Sequence, residues 1–84
     1  MKHAGPDALD RAEPLLAQIR KIEALKERSR GVFYRSGRAF LHFHEHGPEL
    51  FADVRTGEDF RRFPATSPTH WAALMKALAG ALRA

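Results

Sequence analysis

The sequence predicts an α+β fold: an antiparallel sheet of three to four strands, packed on one face by an N-terminal and a C-terminal helix. Three observations carry that expectation. Leu15, Leu16, Ile19, Ile22 and Leu25 recur at the three- and four-residue spacing of an amphipathic helix, and Trp71, Leu74, Met75, Leu78 and Leu82 do the same. Between these stripes the period changes to two, in GVFYRSGRAFLHFHE and then ELFADVR. Glycine-bearing turns separate the alternating runs.

Taken in order, residues 1–5 read as a flexible tail and Pro6 to Ala12 as a short helical turn. Pro14 interrupts any continuous helix there and suits the first position of the next one, where its missing N–H costs nothing. That helix is expected over about 14–29, with Gly31 as its stop. Ser36-Gly37 then forms a two-residue hairpin turn, pairing Arg35 with Arg38, Tyr34 with Ala39, Phe33 with Phe40 and Val32 with Leu41. A second turn at His46-Gly47-Pro48-Glu49 sets Glu45 against Leu50, His44 against Phe51, Phe43 against Ala52, His42 against Asp53 and Leu41 against Val54. After Thr56-Gly57, Asp59 to Phe63 suggests a short fourth strand ended by Pro64. Ser67 caps the last helix, expected over about 68–83, with Pro68 at its first position.

The alternation sorts the sheet into two faces. One carries Val32, Tyr34, Ala39, Leu41, Phe43, Leu50, Ala52 and Val54 and must pack on the helices. The other carries Phe33, Arg35, Arg38, Phe40, His42, His44, Phe51, Asp53 and Arg55, and two helices leave it uncovered. Candidate functions belong on that second face.

Composition narrows the classes. The 84 residues are 44% hydrophobic and 29% charged, which is globular composition for a single small domain. With no cysteine, disulfides, thiolate metal sites and a cysteine nucleophile are excluded. No run approaches the roughly 20 apolar residues of a membrane span, and MKHAGPDALDRAEP lacks the apolar core of a secretory signal. A cytoplasmic protein without a membrane partner is the expectation, and the arginine- and alanine-rich composition suggests a GC-rich bacterial source. The net charge of +4 is carried entirely by Lys26, Arg28, Arg30, Arg35 and Arg38, set against Glu27 alone in that stretch. Such a basic patch suits phosphates or an acidic partner, although Lys26, Arg28 and Arg30 would also complement the negative end of the 14–29 helix.

Three readings of the second face are open. In the first, His42 and His44 project together from one strand, with Asp53 opposite, as ligands for zinc or iron; an ordinary His42–Asp53 cross-strand contact explains the same residues. In the second, Phe33, Phe40 and Phe51 stack bases while Arg35, Arg38 and Arg55 hold phosphates. The aromatic RNA-binding signature of sheet modules cannot be aligned past Arg30-Gly31, and nucleic acid is not favoured. In the third, the phenylalanines form an apolar patch buried by a second copy, with Phe33, Phe40, His42, His44, Phe51, Asp53 and Arg55 in a two-fold interface. This third reading, a self-associating interaction module with no resident cofactor, requires no special chemistry and is the expectation.

Catalysis is not expected. Ser29, Ser36 and Ser67 are placed at a helix end, a hairpin turn and a helix cap, and the adjacent Glu58 and Asp59 point apart on a strand. The glycines fall at turns and make no phosphate loop. His70 reads as a neutral surface or packing residue in the first turn of the last helix.

The run GVFYRSGRAFLHFHEHGPELFADVR, residues 31–55, resembles small bacterial proteins in which a FLHFHE strand precedes a FADVR-like strand. The helix–sheet–helix order with THWAAL in the last helix is faintly similar to YjbR-like bacterial proteins. Neither resemblance implies an established activity or site residues.

Overall fold

The structure is a computed structural model and describes residues 1–83. Two short helices, α1 (Pro6–Arg11) and α2 (Glu13–Arg20), follow a two-residue strand β1 (Lys2–His3). Then come five strands, β2 (Lys26–Ser29), β3 (Val32–Arg35), β4 (Arg38–His46), β5 (Glu49–Thr56) and β6 (Asp59–Pro64), and the long helix α3 (Pro68–Arg83). The α+β class is as predicted, but the described residues form six antiparallel strands and three helices where three to four strands and two helices are expected: β1 and β2 are additional, and two short helices replace the single N-terminal one. The main sheet runs β2-β3-β4-β5-β6 in sequence order, with β1 added against β4. No helix among the described residues is long and apolar enough to cross a membrane.

The expected 14–29 helix ends early, at Arg20, so Lys26, Arg28 and Arg30 complement no helix end. After Arg20 the bonds shorten: Lys21, Ile22 and Leu25 donate to the carbonyls three residues back, the tighter pattern by which helices terminate. Ile22 and Leu25 keep their apolar contacts from this turn, which is why the spacing reads as helical. Lys26–Ser29 then pairs as an edge strand with β3. Its charged residues suit an edge that must not recruit another chain. Gly31 therefore belongs to a strand turn and not to a helix end. It has φ +78, and a Cβ added there would lie 2.9 Å from the Leu9 side chain.

The β3–β4 turn forms at Ser36-Gly37, both with positive φ (50 and 80), as a twisted two-residue hairpin requires. Arg35–Arg38 and Tyr34–Ala39 pair as expected, but Phe33 lies opposite Leu41 and not Phe40. Phe40 is the extra residue of a β-bulge, which shifts the upstream part of β3 by one place. The shift turns Phe33 toward the helices. Phe33 and Phe40 are thus buried in the core, and Val32 and Tyr34 are half-buried outside it. The β4–β5 register agrees with the expectation at every pair from Leu41–Val54 to Glu45–Leu50. The suggested fourth strand is β6, whose ladder runs from Thr56–Asp59 to Phe51–Pro64.

One core holds these elements together. Leu41, Phe43, Leu50, Ala52 and Val54 from the sheet meet Ala8, Leu9, Leu15, Leu16, Ile19, Leu74 and Leu78 from the three helices. The helices thus all cover one face. Trp71, Met75 and Leu82 complete the α3 stripe at the core's margin, and Trp71 Nε1 donates to the Ala65 carbonyl at 2.7 Å. Residues 1–5 are pinned and do not form a free tail: the Ala4 amide donates to the Phe43 carbonyl, and the Gly5 amide to Glu45 Oε2.

Candidate functional site

The face left uncovered is centred on the β4–β5 hairpin. Alternation brings His42 and His44 of β4 and Asp53 of β5 out on this face, because their neighbours Leu41, Phe43, Ala52 and Val54 are committed to the core. The imidazoles converge on one oxygen: His42 Nε2 lies 3.4 Å and His44 Nε2 3.3 Å from Asp53 Oδ2. The three side chains offer ligand atoms that all lie within 4.8 Å of one another.

Asp53 is the only buried charged or polar residue among those described. A buried carboxylate needs a counter-charge and hydrogen bonds. Arg62 of β6 supplies both, with Nε on Oδ1 at 2.7 Å and Nη2 on Oδ2 at 2.9 Å, the two-pronged arrangement that suits guanidinium and carboxylate. That contact holds the Asp53 carboxyl below its usual range, opposed by burial. His42 is pushed the other way from a typical ion-paired histidine. Burial lowers its pKa more than Asp53 raises it, and the neighbouring histidines add to the lowering. At neutral pH His42 is therefore a neutral imidazole, the form that binds metals.

His3 of β1 stacks on His44, with ring centroids 4.6 Å apart and planes at 28°. His42 meets His44 edge-on at 4.9 Å and also contacts Phe60 of β6 at 4.9 Å. Within this packing His44 Nδ1 is buried and has no hydrogen-bond partner. Buried polar atoms are nearly always paired, so this orphaned nitrogen, on the ring whose other nitrogen faces Asp53, is an exception that calls for an explanation.

The structure separates the remaining predicted residues. Phe33 and Phe40 leave the face for the core, as described above. Phe51 is half-buried on the face, opposite Pro64. Arg55 lies toward its far end, stacked on Phe60 at 4.6 Å and donating Nε to the Ala39 carbonyl at 2.7 Å. The predicted basic patch is dispersed. Lys26 and Arg28 lie on edge strand β2, where Arg28 sits over the Tyr34 ring at 4.6 Å. Arg30 turns to the helices and pairs with Asp10 and Glu13. Arg35 donates to the Leu82 carbonyl at the end of α3, and Arg38 starts β4.

Three members of the site escaped the sequence reading: His3, Phe60 and Arg62. Arg62 had a signal. A tight turn after Thr56 pairs Thr56 with Asp59, and counting back along that ladder sets Arg62 against Asp53. His3 had none, since a two-residue strand has too little pattern to register.

The chain matches no family model, no curated protein and no solved structure with which it was compared.

Proposed function

We propose that this protein is a divalent-metal-binding module, with His42, His44 and Asp53 as the ligands. The observation that carries this is the pair of Nε2–Oδ2 separations, 3.4 and 3.3 Å. Zinc bonds of about 2.0–2.1 Å to nitrogen and oxygen imply ligand–ligand edges of about 3.3–3.4 Å in a tetrahedron. Two of the three edges thus already have the spacing of a tetrahedral face. Two imidazoles and a carboxylate, without thiolates, suit zinc or iron(II) and leave further coordination positions open to solvent.

Arg62 competes with the metal for Asp53. It engages both carboxylate oxygens, so a cation must share Oδ2 or displace the guanidinium. The Arg62 side chain is 45% exposed and has a route to solvent. Arg62 acts in this reading as a stand-in cation that keeps Asp53 ionised and positioned in the metal-free protein. The reading replaces self-association through three phenylalanines, because two of the three rings lie in the core.

Zinc titration by calorimetry tests the assignment. The expected result is one saturable site, abolished by His44→Ala and by Asp53→Asn. Arg62→Gln is expected to tighten binding by about tenfold, the scale of one lost charge-assisted competitor. Binding that survives both ligand substitutions refutes the assignment, as does an absence of saturable binding.

A further inference from the structure

A second feature lies at the opposite end of β4 from the strand's histidines. A cleft of about 410 Å³ opens between the Ser36-Gly37 turn, the Gly57 turn and the C-terminal end of α3. Arg35, Arg38 and Arg55 line it together with Ser36, Phe40 and Ala81. Its volume falls within the range of small-molecule sites, about 300–1,000 Å³.

The arginines of this molecule divide into ion-paired ones and ones with no carboxylate partner among the described residues, and the cleft gathers three of the second kind. Arg20 pairs with Glu13 and Glu27, Arg30 with Asp10 and Glu13, and Arg62 with Asp53. The three arginines of the cleft have no carboxylate partner among the described residues, and no acid lines the cavity. Two of them are instead fastened by backbone carbonyls. Arg35 donates to Leu82 at 3.0 Å and to Ala81 at 3.5 Å; Arg55 donates to Ala39 at 2.7 Å and to Glu58 at 3.4 Å. Each guanidinium carries five N–H donors, so these bonds fix the groups in place and leave donors free. Arg38, exposed at the turn, is held by no ion pair among the described residues. Three positive charges around one small cavity, with no carboxylate set against them among the described residues, leave a positive local potential.

We propose that this cleft binds a small phosphate monoester. A phosphate monoester carries close to two negative charges at neutral pH and three acceptor oxygens, and guanidinium forks match those oxygens in pairs. Ser36 adds a hydroxyl donor at the mouth, and Phe40 with Ala81 provides an apolar wall for a compact organic group. The site is separate from the histidine cluster and does not depend on metal there.

The test is an NMR titration of the isotopically labelled full chain with phenyl phosphate at constant ionic strength, using Arg38→Ala and, as a control cation on the outer side of α3, Lys76→Ala. Saturable shifts are expected at the amides of Ser36, Gly37, Arg38 and Gly57. Arg38→Ala weakens binding about tenfold, the worth of one charge-assisted pair, and Lys76→Ala leaves it unchanged. Because Arg38 is exposed at a turn, its removal leaves the core intact, which the unperturbed amides of Leu41 and Val54 verify. Linear, unsaturated shifts overturn the proposal, and so does equal weakening by the two variants. A single-stranded oligonucleotide that moves the same amides more tightly than phenyl phosphate, with steep salt dependence, also overturns it and reassigns the cleft to nucleic acid.

Discussion

The two faces of this one sheet are organised by different physics. On the covered face, side chains from β3, β4, β5 and β6 and from the three helices meet in a single apolar cluster, and the fit is governed by volume. On the uncovered face a carboxylate, a guanidinium and three imidazoles meet, and the arrangement is governed by charge. The strands are shared, so every residue that commits one position to the core aims its neighbours at the site. Leu41 and Phe43 direct His42 and His44 outward; Ala52 and Val54 do the same for Asp53. The core thereby serves as the positioning device for the candidate ligands.

The comparison is broken most directly through Phe33. Its ring is 1% exposed on the covered face, so Phe33→Ala is expected to reduce stability by about 3–5 kcal/mol in denaturant unfolding, as for other buried aromatic truncations. A near-neutral result would return Phe33 to the opposite face and remove the bulge from the account. Gly31→Ala is the next largest. It forces a Cβ into Leu9 at a positive φ, and a loss of about 2 kcal/mol is expected from strain and crowding together.

A smaller effect concerns the polar seam where the helices meet the sheet's edge. Arg20 holds the Glu27 carboxyl below its ordinary value of 4.5, and the Gly31 amide adds to the lowering. A depressed folded-state pKa contributes stability above the unfolded value, and this is lost as pH falls through the folded one. Stability should therefore decline below about pH 4.5, and Glu27→Gln should flatten that limb while lowering stability at pH 7 by about 0.5–1 kcal/mol, the scale of a partly exposed pair. A steeper acid limb in the variant would contradict the assignment. The smallest effect belongs to the uncovered face. Phe60 is 38% exposed, and Phe60→Ala should change stability by less than about 1 kcal/mol, in contrast to Phe33. A loss comparable with that of Phe33→Ala would mean that the two faces do not differ as described.

The same contrast explains what was legible in the sequence. The β4–β5 hairpin could be read pair by pair because both strands keep a strict period of two and the turn between them is short. The same alternation sets His42, His44 and Asp53 on one face from the sequence alone. The α3 stripe was equally plain. The errors cluster where a local pattern is overruled by a partner distant in sequence. Lys26–Ser29 has no strand-forming composition and becomes a strand only by pairing with β3. Ile22 and Leu25 continue a helical rhythm through a turn. Phe33 and Phe40 were assigned to the wrong face because one inserted residue reverses every side chain beyond it; the adjacent apolar pair Phe40-Leu41, with both members buried, is the trace such a bulge leaves. His3 reaches the site through a β1–β4 pairing that only the tertiary structure reveals.

The central claim is that the uncovered face holds a metal through His42, His44 and Asp53. Cobalt(II) titration followed by visible absorption tests it most directly, since band intensity reports the coordination number as well as occupancy. The account predicts intense bands of a four- or five-coordinate ion saturating at one equivalent, displaced by zinc and absent in His42→Ala. Weak bands of a six-coordinate aqueous ion, unchanged between wild type and His42→Ala, would contradict it and leave the face as an Asp53–Arg62 ion pair with two histidines packed beside it.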